Sequence, residues 1–81
     1  MLTLKIVTPE RVEFDGAIKS IRVPGMLGSF EVLDNHAPII SSHEKGTVEY
    51  TTDDNEKKEL AILGGFVEVQ KNVVSLCVEI N

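Results

Sequence analysis

The sequence predicts a small all-β domain, either a sandwich or a small barrel. Val, Ile and Thr occupy 22 of the 81 positions, whereas Ala occupies 3; β-branched side chains are crowded on a helix but pack well on a pleated strand. Apolar and polar residues alternate over many short segments. Turn residues separate these segments at close spacing, which is typical of all-β domains.

The first third of the chain contains three such segments. Residues 2–7 alternate and are predicted to form a strand, which Pro9 ends because proline cannot donate a ladder hydrogen bond. Residues 11–14 are predicted to form a second strand that closes at Asp15-Gly16, a strong two-residue turn signal. In residues 17–23 the apolar positions change parity near Lys19-Ser20, which indicates a β-bulge.

The second half alternates more clearly. Residues 39–40 are predicted to form a brief strand, followed by a polar connection over residues 41–46. Residues 57–63 are ambiguous because Asp54 could cap a helix there. A strand is favoured, since Gly64-Gly65 ends the segment after too few residues for a stable isolated helix. The other predicted elements are a strand over 47–51, an exposed loop over 52–56, a strand over 66–70, a tight turn at Lys71-Asn72 and a last strand over 74–80.

Length and composition limit the possible functions. The 81 residues are predicted to form one domain, residues 1–81, which buries about 60% of the surface of its unfolded chain. A net charge of −5 and a pI near 4.9 exclude the basic surface that nucleic acids require. Cys77 is the single cysteine, so nothing indicates an oxidising compartment. With no signal peptide or membrane span in the sequence, a soluble cytosolic protein is expected.

The segment from Pro24 to Pro38 is the most unusual part of the sequence. Gly25 and Gly28 permit backbone torsions that other residues resist, and they flank Met26 and Leu27 in a tight turn. The short strand 30–32 follows, before a turn at Asp34-Asn35 and Pro38. The apolar pair at the tip could fold back onto the core, or it could be a contact surface for a partner. Both interpretations remain open from the residues alone.

Catalytic chemistry is poorly supported. The two histidines, His36 and His43, lie in predicted loops and are expected to be exposed to solvent or hydrogen-bonded locally. With Asp34 or Glu44 they could be imagined as a metal site, but their spacing matches no common zinc pattern. Cys77 is expected to be a packed thiol rather than a nucleophile. Lys45 and Lys71 lie in turns, as the modified lysine of a lipoyl-type carrier does, but lack that motif's flanking residues and are expected to be ordinary surface lysines.

Several spaced sequence elements together resemble one known family. They are, in order, Gly28-Ser29-Phe30-Glu31-Val32-Leu33, His36-Ala37-Pro38, Gly46, Gly64-Gly65-Phe66-Val67-Glu68-Val69 and Asn72-Val73-Val74. This series resembles the N-terminal domain of the epsilon subunit of F-type ATP synthase, and the resemblance extends from Leu2 to the last strand. It implies a sandwich of two sheets with about ten short strands.

The resemblance also implies a function. Such a chain would be a non-catalytic central-stalk (rotor) subunit that binds the gamma subunit and the membrane-embedded c-ring and couples ion translocation to ATP synthesis. No cofactor, nucleic acid or small-molecule substrate is implied. The chain would meet the membrane only through the complex, at the cytoplasmic face of the bacterial inner membrane. The residues carried over for the ring contact are Gly25, Met26, Leu27, Gly28, Ser29 and His36, and Thr8 is assigned to the gamma contact.

The sequence departs from the family pattern in two places. Residues 41–45 are more polar than the usual segment after the proline, which affects the local packing expected there. The chain ends at Asn81, where most family members continue into two inhibitory helices, so we expect no inhibition by helix extension. A small ligand-binding or carrier β-sandwich is the alternative function. A deep pocket lined by His36 or His43 would favour it, whereas a flat surface with Met26 and Leu27 exposed would favour the rotor subunit.

Overall fold

A computed structural model describes residues 2–24, 30–32 and 39–80, and it confirms the all-β class. The described residues form strands and turns, without a helix. About ten strands were expected; the described part has eight, seven of them on one path. The strands are β1 (Leu2–Val7), β2 (Val12–Val23), β3 (Phe30–Val32), β4 (Ile39–His43), β5 (Gly46–Thr52), β6 (Lys57–Ile62), β7 (Gly64–Gln70) and β8 (Val73–Glu79).

The strands follow one continuous, curled sheet in the order β4-β7-β8-β1-β2-β5-β6, and β3 pairs with β2. β1 and β8 are parallel, and the other pairs are antiparallel. The long strand β2 serves both halves, because residues 12–18 pair with β1 and residues 18–23 pair with β5 and β3. We call β4, β7, β8, β1 and the start of β2 the first sheet, and the end of β2 with β3, β5 and β6 the second sheet.

The predicted bulge in β2 is present where the chain passes from one sheet to the other. The register with β5 shifts between Ile18 and Ser20, so one extra residue is accommodated on β2. Ile18 and Ile21, three positions apart, are therefore both buried. In a regular strand, residues three apart point to opposite faces. The bulge allows β2 to keep its apolar side chains in the core on both sides of the bend.

The prediction of a turn at Asp15-Gly16 was wrong, because β2 continues through these residues opposite Lys5 and Leu4 of β1. Gly16 has a packing role instead. A Cβ atom there would lie 3.4 Å from the ring of Phe14. The Phe14 ring extends to Tyr50 on β5, with ring centroids 4.8 Å apart and planes inclined by 53°. This tilted aromatic pair joins the two sheets.

One core lies between the sheets. It is built from aliphatic side chains at alternate positions of both sheets, and Phe14, Leu60 and Ile80 pack against its edge. Burial of these side chains is the main favourable term for folding. The buried apolar residues are Leu2, Leu4, Ile6, Ile18, Ile21, Val23, Val48, Tyr50, Ile62, Val67, Val69, Val74, Leu76 and Val78.

Most of the predicted turns and strands of the second half are confirmed. Residues 57–62 form strand β6 and not a helix, and Asn55 takes a left-handed φ of 66° in the preceding hairpin turn. Lys71 and Asn72 both have positive φ, 53° and 61°, as a type I′ hairpin requires. The polar connection predicted over 41–46 was wrong in its first half, since residues 41–43 extend β4 and pair with β7.

Candidate partner-binding surface

The outward side of the first sheet is the candidate binding surface, and we call it the apolar face. The strand registers place five outward residues in one row across the sheet. The row consists of Ser42 on β4, Phe66 on β7, Cys77 on β8, Val7 on β1 and Val12 on β2. Four of these five side chains are apolar or, in the case of the thiol, weakly polar. Such a row on the outside of a sheet is unusual, because outward positions of a sandwich are normally polar.

Large apolar side chains are concentrated on this face. Among the side chains whose burial the structure describes, five large apolar ones are exposed, and four of them point outward from the first sheet. These four are Ile40, Phe66, Val12 and Val73, with exposed fractions of 77%, 62%, 52% and 44%. Single exposed apolar residues are common, but several on one sheet face indicate a contact surface.

A shallow groove of about 350 Å³ lies at one end of the apolar face. Phe66, Cys77, Val7 and Pro9 line it, and Thr8 stands at its rim. The floor of the groove depends on Gly65, whose φ is +153°. A Cβ atom at Gly65 would come within 2.2 Å of the carbonyl oxygen of Cys77. The glycine therefore allows β7 and β8 to approach closely beneath the groove.

Thr8 has a clear structural role beside any role in binding. Its backbone N–H donates to the carbonyl oxygen of Arg11 at 2.8 Å. Its Oγ1 accepts hydrogen bonds from the backbone N–H groups of Glu10 and Arg11, both at 3.2 Å. These bonds close the turn between β1 and β2. Half-buried Thr8 thus holds the hairpin end that borders the groove, and its assignment to the gamma contact stays a prediction.

The prediction that Cys77 is a packed thiol was wrong, because Cys77 is exposed. Its neighbours Leu76 and Val78 are buried, so the alternation of β8 places the thiol outward. There it lies in the row between Phe66 and Val7. The thiol adds a small, weakly polar surface to the apolar face.

The outward side of the second sheet is different, and we call it the charged face. Its cross-strand row contains Arg22, Glu49 and Glu59, and the next row contains Ser20, Thr51 and Lys57. A surface groove of about 260 Å³ between these rows is lined mainly by charged and hydroxyl side chains. Charged residues at this edge, particularly the lysines of β6, protect it from pairing with other chains.

The expectation that both histidines are exposed or hydrogen-bonded locally was wrong for His43. Its side chain is 6% exposed, and among the described residues neither Nδ1 nor Nε2 has a hydrogen-bond partner. Burial lowers the pKa of His43 from its ordinary value of 6.5, because the charged imidazolium is poorly solvated there. His43 lines neither of the two grooves described above.

The remaining site predictions are only partly covered by the structure. The ring-contact residues Gly25, Met26, Leu27, Gly28, Ser29 and His36 lie outside the described residues. Within the described ranges, no group of three His, Cys, Asp or Glu side chains could hold a metal ion. Buried His43 and exposed Glu44 belong to different environments. Lys45 and Lys71 are exposed, as expected of surface lysines.

The fold and its surfaces define a small β-sandwich domain with one apolar and one charged outer face. A family model described as the β-sandwich domain of the ATP synthase delta/epsilon chain matches residues 1–80. The chain therefore belongs to this family. Epsilon chains are non-catalytic subunits of ATP synthase.

Curated relatives agree with the family assignment. The chain is 40% identical over 77 residues to the ATP synthase epsilon chain of Chlorobaculum tepidum, a match that covers 95% of this chain and 88% of that one. It is 40% identical over 78 residues to the epsilon chain of a Nitratiruptor species and 35% identical over 75 residues to that of Leptospira borgpetersenii. These two matches cover 96% and 93% of this chain but only 60% and 58% of the relatives.

Solved structures show the same fold. The chain is similar to a subunit in the mitochondrial ATP synthase of Euglena gracilis, an assembly of OSCP, F1 and c-ring, with a TM-score of 0.88. It is also similar to one in the central stalk and c-ring of the Tetrahymena thermophila enzyme, with a TM-score of 0.81. The identities are 20% and 16%, and the matches cover 95% and 98% of this chain and 49% and 63% of those chains. At these identities the likeness concerns the fold.

Proposed function

We propose that this chain is the rotor subunit that binds both the gamma subunit and the c-ring of an F-type ATP synthase. In this function the chain itself catalyses no reaction. It transmits torque between ion translocation in the ring and ATP synthesis in the catalytic head. Family membership and the central-stalk assemblies that contain structural relatives support this function.

The observation that carries the proposal is the apolar face, and the gamma subunit is its proposed occupant. A flat sheet surface with several exposed apolar side chains suits contact with another protein better than capture of a small molecule, which needs a concave pocket. Phe66 is the largest side chain of its row and is highly exposed, so it is the proposed anchor. Thr8 borders the same groove, which supports its assignment to the gamma contact.

The c-ring contact is proposed for the glycine-flanked segment from Gly25 to Ser29 and for His36. The sequence supports this assignment, because Met26 and Leu27 form an apolar pair between two glycines. A stable interface buries about 1,000 Å² or more in total, which these few residues cannot supply alone. Gamma binding is therefore proposed to provide most of the affinity that holds the subunit in the rotor.

The proposed location is the cytoplasmic face of the bacterial inner membrane, reached through the complex. In the part of the chain that the structure describes, no helix is both long and apolar enough to cross a membrane. The net charge of −5 gives no attraction to anionic lipid headgroups, which supports attachment through protein partners. No nucleic acid or small-molecule substrate forms part of the proposal.

Co-purification of the chain with its own gamma subunit tests the proposal. Phe66→Asp places a charge beside the groove of the apolar face and is expected to weaken gamma binding about 30-fold or more, the loss typical of an interface hot spot. Ala61→Asp is the matched control, because Ala61 is an exposed apolar residue on the second sheet. It is expected to leave gamma binding unchanged.

The ring contact is tested in the same preparation. Changing Met26 and Leu27 to Asp is expected to weaken association of the gamma complex with the c-ring while gamma binding is retained. If the unaltered chain does not bind gamma at all, the rotor function is refuted. Equal losses from Phe66→Asp and Ala61→Asp would contradict the assignment of gamma to the apolar face.

A further inference from the structure

His43 occupies a buried position in which protonation of the imidazole would strongly affect the stability of the neighbouring strand pairing. It is the last residue of β4, an edge strand whose pairing partner among the described residues is β7. Its imidazole points into the domain, since Ile40 and Ser42 on the same strand face outward. Its two nitrogen atoms have no hydrogen-bond partner among the described residues. Buried polar atoms of this kind cost free energy even when neutral.

Among the described residues, the immediate surroundings of His43 contain no group that would stabilise an imidazolium ion. Opposite it on β7 is Gly65, which has no side chain, and the next residue in the row is Val78 on β8. Ser41, on the same face of β4, directs its hydroxyl to the carbonyl oxygen of Ser42 at 3.3 Å. A charge formed at His43 would therefore be buried beside apolar or already engaged groups.

The charged side chains that the structure describes on the neighbouring strands point away from His43 or lie in solvent. Glu44, which follows it, is exposed, as are Glu68 on β7 and Glu79 on β8. On the strands of the second sheet that share the core, β5 and β6, the carboxylates of Glu49 and Glu59 lie on the outer, charged face. Burial alone accounts for the lowered pKa of His43. Among the side chains that the structure describes, no carboxylate is placed to compensate a proton.

We propose that His43 makes the pairing of β4 with β7 proton-sensitive, so that protonation of the imidazole detaches β4 from the first sheet. The neutral imidazole is compatible with the folded position, and the charged imidazolium is compatible only with an open one. Acid therefore favours the open state of β4. Because β4 is an edge strand, it can open while β7, β8 and β1 stay paired.

The sign of the effect follows from linkage. Since the pKa of His43 is lower in the closed state than the ordinary 6.5, closing expels a proton when the pH lies between this lowered pKa and 6.5. The stabilisation of the closed state is complete above pH 6.5 and is lost as the pH falls. The population of the open state is expected to rise between pH 7.5 and pH 5.5, by at most about tenfold.

Amide hydrogen exchange of the isolated chain, followed by NMR, tests the inference directly. The protection factors of the β4 amides, corrected for intrinsic exchange, are expected to fall from pH 7.5 to pH 5.5, by at most about tenfold. At pH 5.5 they should also be lower than those of β1 and β8, which indicates local opening. His43→Leu and His43→Gln, neither of which titrates, are expected to abolish this fall. His36→Gln, which removes the other histidine, should retain it.

Two results would overturn the inference. One is a fall in β4 protection that persists unchanged in both His43 variants. The other is β4 protection that does not depend on pH in the unaltered chain, whatever the midpoint of the His43 side-chain titration. If both His43 variants fail to fold, this titration and the exchange data of the unaltered chain still decide the question.

The inference has a consequence for the complex that rests on the proposed function. β4 carries Ile40, the most exposed of the apolar residues that the structure describes, on the apolar face. Opening of β4 would remove Ile40 from this surface, so gamma binding should weaken below pH 6.5 in the unaltered chain and not in His43→Leu. Proton-dependent exchange without gamma binding at any pH would refute the proposed function alone. Gamma binding with pH-independent exchange would refute the proton-sensitive pairing alone.

Discussion

The two outer faces of this sandwich differ far more than its two inner faces. Both sheets contribute buried aliphatic residues to one core. On the outside, the first sheet presents Phe66, Ile40 and Val12, whereas the second sheet presents Arg22, Glu49 and Glu59. The charged face is what solubility requires of a small acidic domain. Exposure of the apolar face to water costs an isolated domain free energy, and the side chains of this face do not contribute to the core.

This difference indicates that the apolar face has a role other than stabilising the fold. An exposed aromatic ring in the middle of a sheet gains little in the free domain, and it gains much when a partner removes it from water. The groove beside Phe66 exists because Gly65 brings β7 and β8 together. The apolar face is thus a specific feature of the fold. Substitutions that alter it should have different effects from substitutions on the charged face.

The largest expected effect is the loss of stability in Gly65→Ala. The new Cβ atom would approach the carbonyl oxygen of Cys77 to 2.2 Å, and the φ of +153° is one that L side chains rarely adopt. Both effects strain the backbone beneath the apolar face, so the free energy of unfolding is expected to fall by about 3 kcal/mol or more. Urea unfolding, followed by circular dichroism, measures it.

Gly16→Ala is the control for Gly65→Ala. Its Cβ atom would lie at an ordinary contact distance of 3.4 Å from the flexible Phe14 ring, so a loss of about 1 kcal/mol or less is expected. If the two alanine variants lose equal stability, the close approach of β7 to β8 is not the reason for the glycine.

Much of the fold could be predicted from the sequence because side-chain alternation and turn chemistry are local. The last strand alternates over seven residues, and Lys71-Asn72 supplies the two positive φ values of its hairpin. The bulge was also readable, since the parity of buried residues changes between Ile18 and Ile21. In these places the local pattern and the tertiary packing require the same structure.

The errors arose where tertiary packing overrides a local signal. Asp15-Gly16 is a strong turn signal, but pairing with β1 and the room needed by the Phe14 ring keep it in the middle of a strand. Residues 41–43 are polar and were predicted as a connection. They extend β4 because β7 offers free backbone hydrogen-bonding groups there. The sequence of residues 41–43 does not indicate that such a partner strand lies beside them.

The candidate site was predictable only in part, for a similar reason. Alternation alone places Cys77 and Phe66 on the side opposite the core, but it does not show that the strand registers bring them into one row with Val12. This row depends on the parallel pairing of β1 with β8, two segments far apart in sequence. The sequence-based assignment of the ring contact concerned residues 25–29 and His36, outside the described residues, and stays a prediction.

A smaller effect concerns the aromatic contact that joins the sheets. Burial, and then the nearby charge of Glu13, raises the pKa of Tyr50 above its ordinary value of 10. Because the neutral phenol is favoured in the folded state, its contribution to stability is complete below pH 10 and is lost as the pH rises through the folded pKa. Tyr50 is the single tyrosine, so absorbance of the tyrosinate reports on it without interference.

Glu13→Gln separates the two causes of that shift. It should lower the apparent pKa of Tyr50 while leaving it above 10, since burial is the larger cause. A pKa at or below 10 in the unaltered chain would mean that the phenol is not held between the sheets as the structure describes.

The smallest effect on stability is expected from a substitution on the charged face, and this substitution compares the two faces most directly. Glu49 and Glu59 lie directly opposite each other on β5 and β6, so Glu59→Lys replaces a like-charge pair by an attractive one. Stability should rise by about 0.2–1 kcal/mol, measured by the urea midpoint, and gamma affinity should change by less than about threefold.

Lys5→Glu is the matched change on the apolar face, where it creates a like-charge pair with Asp15. It should reduce stability by a similar amount and weaken gamma binding more than Glu59→Lys does. The reverse order of the two variants in gamma binding would place the partner on the charged face, and the exposed row around Phe66 would then need another explanation.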